Sequence, residues 1–447
     1  MVDQVLEKKD VDIFDLISEP ASIHELDIPL SLVTDLVLRV LSQEGEASIR
    51  QISNIIKIGP QLLDDFLSQM QNEYMVEVAS AGTMGRMSYN YKLTDNGRER
   101  STEAFERTQY IGPAPIPVEK YSRAVMMQTK DKKRLTPQDF QEALGHLILP
   151  EGFERQLGPA VNNGTSLFLY GPPGNGKTTI AEAIASLLAG TDPIWLPYSV
   201  SVGTYVINLF DSLIHKPVQF DKRSVGSGKL NIDPRWGLFE RPIVMAGGEL
   251  EMSALELRYE ETAKFYESPL QMKANGGMFL IDDFGRQQVR PRDLLNRWIV
   301  PLETGIDFLR LRTGQTMEIP FRQLIVFSTN LDPLDLADEA FLRRIQIKVL
   351  VDGPDERMFY QIFTLFCNIY KVPFNKEAFI HLLQRWYRST GRALQAVHPR
   401  DLLKIIIAMC EFEGVPVELS PARIDDACGA YFVEAGKATW DKGGLGS

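Results

Sequence analysis

The sequence predicts an α/β fold, and three observations predict it. SLFLY (Ser166 to Tyr170) reads as a short buried strand, and a glycine-rich loop, GPPGNGKTT (Gly171 to Thr179), follows it. Ile180, Ala183, Ile184, Leu187 and Leu188 then recur at helical spacing until Gly190 ends the helix. Two further apolar runs, Met278 to Ile281 and Leu324 to Asn330, read as strands with polar residues at their ends, and another strand is expected around Trp195 to Val202. Beyond Pro354 the apolar residues fall at helical spacing: Met358, Phe359, Ile362 and Phe363, then Leu382, Leu383 and Trp386, then Leu402, Leu403, Ile406 and Ile407. A last helix runs from about Pro421 towards Phe432.

The chain has 447 residues, enough for roughly two to four domains. Its net charge of −11 argues against a nucleic-acid coat or a surface that adheres to acidic membranes. Cys367, Cys410 and Cys428 lie far apart and form no metal-type spacing, which suits buried thiols in a reducing compartment. The N-terminus is too polar for a signal peptide, and no apolar run reaches membrane-spanning length, so a cytoplasmic protein without membrane insertion is expected.

Residues 1–22 carry mixed charge and read as a tail or a short docking segment. A helix follows Pro29, with Leu32, Val33, Leu36, Val37, Val40 and Leu41 on one face. Ser48 opens a second, with Gln51 completing a capping box, and a third runs from Pro60 through Met70. A hairpin follows: MVEV, a turn around Gly82 and Gly85, then Tyr89, Tyr91 and Leu93, leading through YKLTDNGRE into another helix. Over residues 23–105 this pattern resembles the winged helix-turn-helix family, in which the third helix commonly enters the DNA major groove. Here that helix has no Lys or Arg between Gly59 and Met75, and it carries Asp64, Asp65 and Glu73. Anionic side chains repel phosphates, so docking of protein is expected ahead of DNA binding. Residues 106–134 read as a proline-rich extended linker ending in Lys130, Lys132, Lys133 and Arg134, a solvated basic face.

The loop at Gly171 fits the pattern G-x-x-x-x-G-K-[ST]. Its glycines allow backbone N–H groups to turn inward on phosphates, Lys177 reaches the β/γ oxygens, and Thr178 offers a hydroxyl to Mg²⁺. Gly171, Pro172, Pro173, Gly174, Asn175, Gly176, Lys177, Thr178 and Thr179 are therefore the candidate nucleotide-binding residues. In GGMFLIDDFGR, Asp282 is placed to hold Mg²⁺ and Asp283 to polarise water. Asn330, ending LIVFSTN, is suited to orient that water. Arg343 and Arg344 lie on a helix end, and HPRDLL puts Arg400 in a helix's first turn.

This series of motifs over residues 135–435 resembles the AAA+ ATPase superfamily. The resemblance implies a parallel five-stranded αβα core followed by a helical lid, and binding of ATP with Mg²⁺. It also implies a homo-oligomeric ring, usually a hexamer, with nucleotide at the interfaces. Arg344 or Arg343 would then reach a neighbour's γ-phosphate, and Arg400 would report from the lid. Most of the superfamily has Glu where this chain has Asp283, which suits a slow ATPase.

Between Asp283 and Asn330, Leu309 and Leu311 alternate with Arg310 and Arg312 before Thr313-Gly314, and Met317 and Ile319 follow, a hairpin pattern. It is preceded by a helix with Leu294, Leu295, Trp298 and Leu302 inward. This layout loosely resembles the pre-sensor-1 hairpin group, which includes MoxR-type chaperones and enhancer-binding activators, although no GAFTGA loop is present. The segment at about 216–273 exceeds what the core needs and reads as an insertion facing a substrate or partner. It includes GSGK (Gly226 to Lys229), which lacks the first glycine of a second phosphate loop.

The expected organisation is thus a tail, a winged helix (23–105), a linker (106–134), an ATPase core (135–351), a lid (352–440) and a terminal tail (441–447). The expected function is a ring ATPase that remodels a protein substrate presented directly or by an adaptor. A DNA-associated ATPase and an ATP-gated scaffold are the alternatives.

Overall fold

The computed structural model describes residues 12–81, 86–130, 134–164, 166–220, 231–336 and 339–432. The readings placed on Gly82 and Gly85, Lys132 and Lys133, GSGK, residues 1–11 and residues 441–447 lie outside those residues. The rest of the expected N-terminal tail is ordered: Ile13–Leu16 is a short helix, and Leu16 and Ile17 are buried in an apolar cluster with Trp195 and Trp236.

The N-terminal unit comprises α1 (Leu30–Glu44), β1 (Glu46–Ser48), α2 (Ile49–Ile56), α3 (Pro60–Asn72), β2 (Val76–Ser80), β3 (Asn90–Leu93) and α4 (Asp95–Arg107). Its strands form an antiparallel sheet in the order β1-β3-β2. Ser48 and Gln51 make a reciprocal capping box that starts α2, and Leu36, Val37, Ile52, Leu63, Leu67 and Tyr91 fill the core between helices and sheet.

The stretch expected as an extended linker is ordered. Ile116–Pro117 forms β4, and α5 spans Val118–Lys130. Prolines suggested an open chain, but Val118, Tyr121, Ala124 and Val125 fall at helical spacing and are buried. Pro117 occupies an edge strand, where a missing N–H costs no ladder bond.

The core follows with α6 (Pro137–Leu144), α7 (Phe153–Asn163), β5 (Ser166–Tyr170) and α8 (Lys177–Ala189). Short strands come next: β6 (Ile194–Pro197), β7 (Ser199–Val202), β8 (Tyr205–Asn208), β9 (Trp236–Phe239), β10 (Ile243–Ala246), β11 (Arg258–Glu260), β12 (Phe265–Glu267) and β13 (Met278–Ile281). Then come α9 (Pro291–Thr304), β14 (Ile306–Arg310), β15 (Thr316–Pro320), β16 (Leu324–Thr329) and β17 (Ile347–Leu350).

An all-parallel sheet in the order β10-β13-β16-β5-β17 is covered on both faces. Alternation along β5 sends Leu167 and Leu169 against Leu157, Ile180 and Ile184, and sends Phe168 against Phe279, Phe284 and Phe327. Burial of both faces is why these strands are continuous apolar runs.

The insertion expected at about 216–273 has a different boundary, because β10 lies inside it and is an edge strand of the core sheet. The strand expected over Trp195 to Val202 divides: β6 pairs with β9, and β7 joins a second sheet in the order β11-β12-β8-β7-β4. This second sheet meets the N-terminal unit, where Gln109 N–H donates to the Ala263 carbonyl at 2.8 Å and Tyr110 packs edge-on against Phe265. The β14–β15 hairpin forms, and its apolar residues Leu309, Leu311, Met317 and Ile319 pack with α5 and the second sheet.

The C-terminal unit contains α10 (Glu356–Tyr370), α11 (Lys376–Leu382), α12 (His398–Glu413) and α13 (Pro421–Tyr431) around Phe363, Leu382, Leu403 and Ile406. All three cysteines are buried there. No helix among the described residues is long and apolar enough to cross a membrane.

His215, 1 % exposed, accepts from Asp211 N–H at 2.9 Å and meets the Lys273 carbonyl at 3.1 Å. Burial pushes its imidazole down from 6.5 to about 4. Below 6.5 the unfolded chain binds a proton at this site that the folded chain refuses until about 4, so acidification favours unfolding. Between pH 7.5 and 5 the wild type should lose about 1–2 kcal/mol more stability than His215→Gln, measured by urea denaturation at both pH values.

Candidate functional site

The candidate site lies at the C-terminal ends of β5, β13 and β16, the edge at which open parallel sheets bind their ligands. Gly171, Gly174 and Gly176 have φ of 135°, 76° and 87°, a left-handed path closed to most side chains and able to turn backbone N–H groups inward. The loop then enters α8, whose first turn presents further N–H groups and the positive end of the helix dipole.

Lys177 is 6 % exposed, and its Nζ donates to the carbonyls of Gly171 and Pro172, both at 2.9 Å. Burial pushes its ammonium below its ordinary value, while Asp282 and Asp283 push it back up. The lysine is therefore held over the loop and feels both carboxylates.

Thr178 Oγ1 donates to Asp282 at 2.9 Å, although 104 residues separate the two. The parallel pairing of β16 with both β5 and β13 sets this contact, since it brings the ends of those strands to one edge. A hydroxyl beside a carboxylate is a pair of hard oxygen donors, and such a pair fits Mg²⁺.

Asp283 is exposed at φ 49°, a region that Asp tolerates better than bulkier residues. Its Oδ1 accepts from Asn330 Nδ2 at 3.2 Å. The turn carrying both aspartates is stitched to its surroundings. Gln287 Nε2 donates to the Asp282 carbonyl at 2.7 Å, and Thr329 Oγ1 donates to the Phe284 carbonyl at 2.6 Å. Sequence reasoning missed Gln287, and no local pattern marks it.

The lid meets the loop through the segment before α12. Val397 N–H donates to the Gly174 carbonyl at 2.9 Å, and Ala396 N–H donates to Asn175 Oδ1 at 3.2 Å. Arg400 lies one turn beyond, with its Nε on Asp401 at 2.9 Å. The two finger candidates differ. Arg344 Nε donates to Glu303 on α9 at 2.6 Å, whereas Arg343 is exposed and has no ion-pair partner among the described residues. The structure thus brings Lys177, Thr178, Asp282, Asp283 and Asn330 together, while Arg344 is engaged by Glu303. Thr179 is exposed on α8, where with His146 and Glu182 it lines an open groove of about 350 Å³.

Residues 355–430 match a family described as "Domain of unknown function (DUF8689)". A vesicle-fusing ATPase of Dictyostelium discoideum is 43% identical over 54 residues, which are 12% of this chain and 7% of that protein. Solved structures include a Thermotoga maritima RuvB variant (TM-score 0.35, 14% identity, covering 63% of this chain and 69% of that one). NtrX from Brucella abortus overlaps with a TM-score of 0.38 at 12% identity, covering 73% and 66% of the two chains. At such low overlap the fold stands on the strand order and loop geometry described above.

Proposed function

We propose that this chain is a Mg²⁺-dependent ATP hydrolase of the AAA+ type that acts as a ring and remodels a protein partner. The contact between Thr178 and Asp282 carries the reading, because it places a phosphate cradle beside a carboxylate pair. Lys177 and the loop N–H groups bind the β- and γ-phosphates. Thr178 and Asp282 hold Mg²⁺, which supplies charge neutralisation on the phosphate oxygens. Asp283 takes the proton from the attacking water, and Asn330 orients both. Loss of the γ-phosphate then follows from in-line attack, with ADP and inorganic phosphate as products.

The N-terminal unit serves as the docking platform. Arg86 pairs with Asp64 on α3, so this basic group is engaged by an acidic side chain of that helix. That pairing disfavours the DNA-associated alternative.

Arg343, exposed and without an ion-pair partner among the described residues, is the residue presented to a neighbouring copy. Arg343→Ala should lower turnover by about 10³-fold, and Arg344→Ala by much less. Mixing Arg343→Ala with Lys177→Ala subunits should restore activity, because the second variant supplies the missing arginine to intact loops. No recovery on mixing argues that the site is complete within one chain. The primary test is phosphate release from ATP by the full chain. Turnover that depends on Mg²⁺ and stops with EDTA is expected, and hydrolysis indifferent to Mg²⁺ contradicts the assignment.

A further inference from the structure

The phosphate-loop pattern leaves position 175 open, since backbone N–H groups, not this side chain, make the cradle. Asn175 is nevertheless 6 % exposed, and its amide faces the lid. Its Oδ1 accepts from Ala396 N–H at 3.2 Å, and its Nδ2 donates back to the Pro172 carbonyl at 3.4 Å. One residue earlier, the Gly174 carbonyl accepts from Val397 N–H at 2.9 Å.

The approach is close on both sides. A Cβ on Gly174 would stand 2.8 Å from Val397 Cγ1, and one on Gly353 would stand 2.6 Å from the Leu394 carbonyl. On the lid side the segment is anchored at once: His398 is buried, and its Nδ1 lies 2.8 Å from the Tyr387 hydroxyl inside the lid core. Residues 394–397 therefore bridge a loop that binds phosphate and a helix that carries Arg400.

We propose that the Asn175 side chain is a positioning residue that sets the lid on the phosphate loop. Its amide spans the loop: Nδ2 reports the path at Pro172, and Oδ1 holds the backbone that starts α12. When phosphate fixes the inward N–H groups, the same loop conformation fixes where α12, and with it Arg400, is placed. A side chain without an acceptor at this position leaves the cradle's own donors intact and releases the lid.

This rests on the nucleotide-hydrolase reading for its catalytic part, but its geometric part is tested without nucleotide. Hydrogen exchange on the nucleotide-free full chain compares wild type, Asn175→Ala and Asn175→Asp. Exchange at Ala396 and Val397 should rise about tenfold in the Ala variant, the effect of one lost buried hydrogen bond, and return towards wild type in the Asp variant, which keeps the acceptor. Protection within Lys177–Ala189 should not change. Val397→Pro, placed where φ is −76° and proline fits, removes the other bond from the lid side and should raise exchange at Ala396, the amide of the pair that remains, if the Ala variant fails to fold. With MgATP, kcat should fall about tenfold in Asn175→Ala while KM moves by less than about threefold. Unchanged exchange at 396 and 397, or loss of protection spread through Lys177–Ala189, overturns the proposal. An equal fall in affinity and rate also overturns it, by making Asn175 a phosphate-site residue. Absence of ATP binding in the wild type sinks the hydrolase reading and leaves the exchange result standing.

Discussion

Lys177→Ala is expected to abolish ATP binding and turnover while the fold survives. The Lys177 ammonium sits over the loop on the carbonyls of Gly171 and Pro172, so phosphate oxygens entering the cradle meet a positive charge already in place. Truncation removes charge-assisted hydrogen bonds to the phosphates and should weaken MgATP binding by at least about 100-fold. The fold is spared because the change relieves a desolvated cation and leaves the apolar face of α8 untouched. Titration calorimetry with MgATP and a thermal melt of the same sample read the two halves separately. Binding within tenfold of wild type contradicts the cradle assignment.

Asp283→Asn is expected to show the opposite split, with ATP bound and hydrolysis lost. The residue accepts from Asn330, and the turn holding it is fixed by Gln287 and Thr329, so an isosteric amide leaves the geometry in place. What disappears is the basic oxygen that takes the proton from water, a loss of about 10²–10⁴ in kcat. Asp283→Glu keeps that oxygen on a longer arm and should stay within about tenfold of wild type. A near-normal rate in Asp283→Asn would assign proton transfer to another group.

Much of this site is legible in the sequence because its chemistry is local. Nine residues, Gly171 to Thr179, encode the loop's path, and the aspartates and Asn330 announce themselves at the ends of apolar strands. Helical periodicity places the lid and the N-terminal helices for the same reason. What escapes the sequence depends on pairing across long separations. The prolines near Ile116 suggest an open chain until β4 finds β7. The short strand β10 reads as part of an insertion until it pairs with β13. Neither Arg343 nor Arg344 is marked by its neighbours, and the difference comes from Glu303, 41 residues upstream. The lid's contact with the loop is carried partly by backbone atoms, which leave no trace in residue type.

If a second copy of the chain completes the hydrolytic site, as proposed, steady-state ATPase rate per subunit depends on protein concentration. With Lys177→Ala as the blank, the rate per subunit should climb steeply as copies assemble and then level off. Arg343→Ala should stay near the blank throughout. A rate per subunit that is flat and near the blank at every concentration, with ATP binding retained, would contradict the account and leave a nucleotide-gated scaffold in its place.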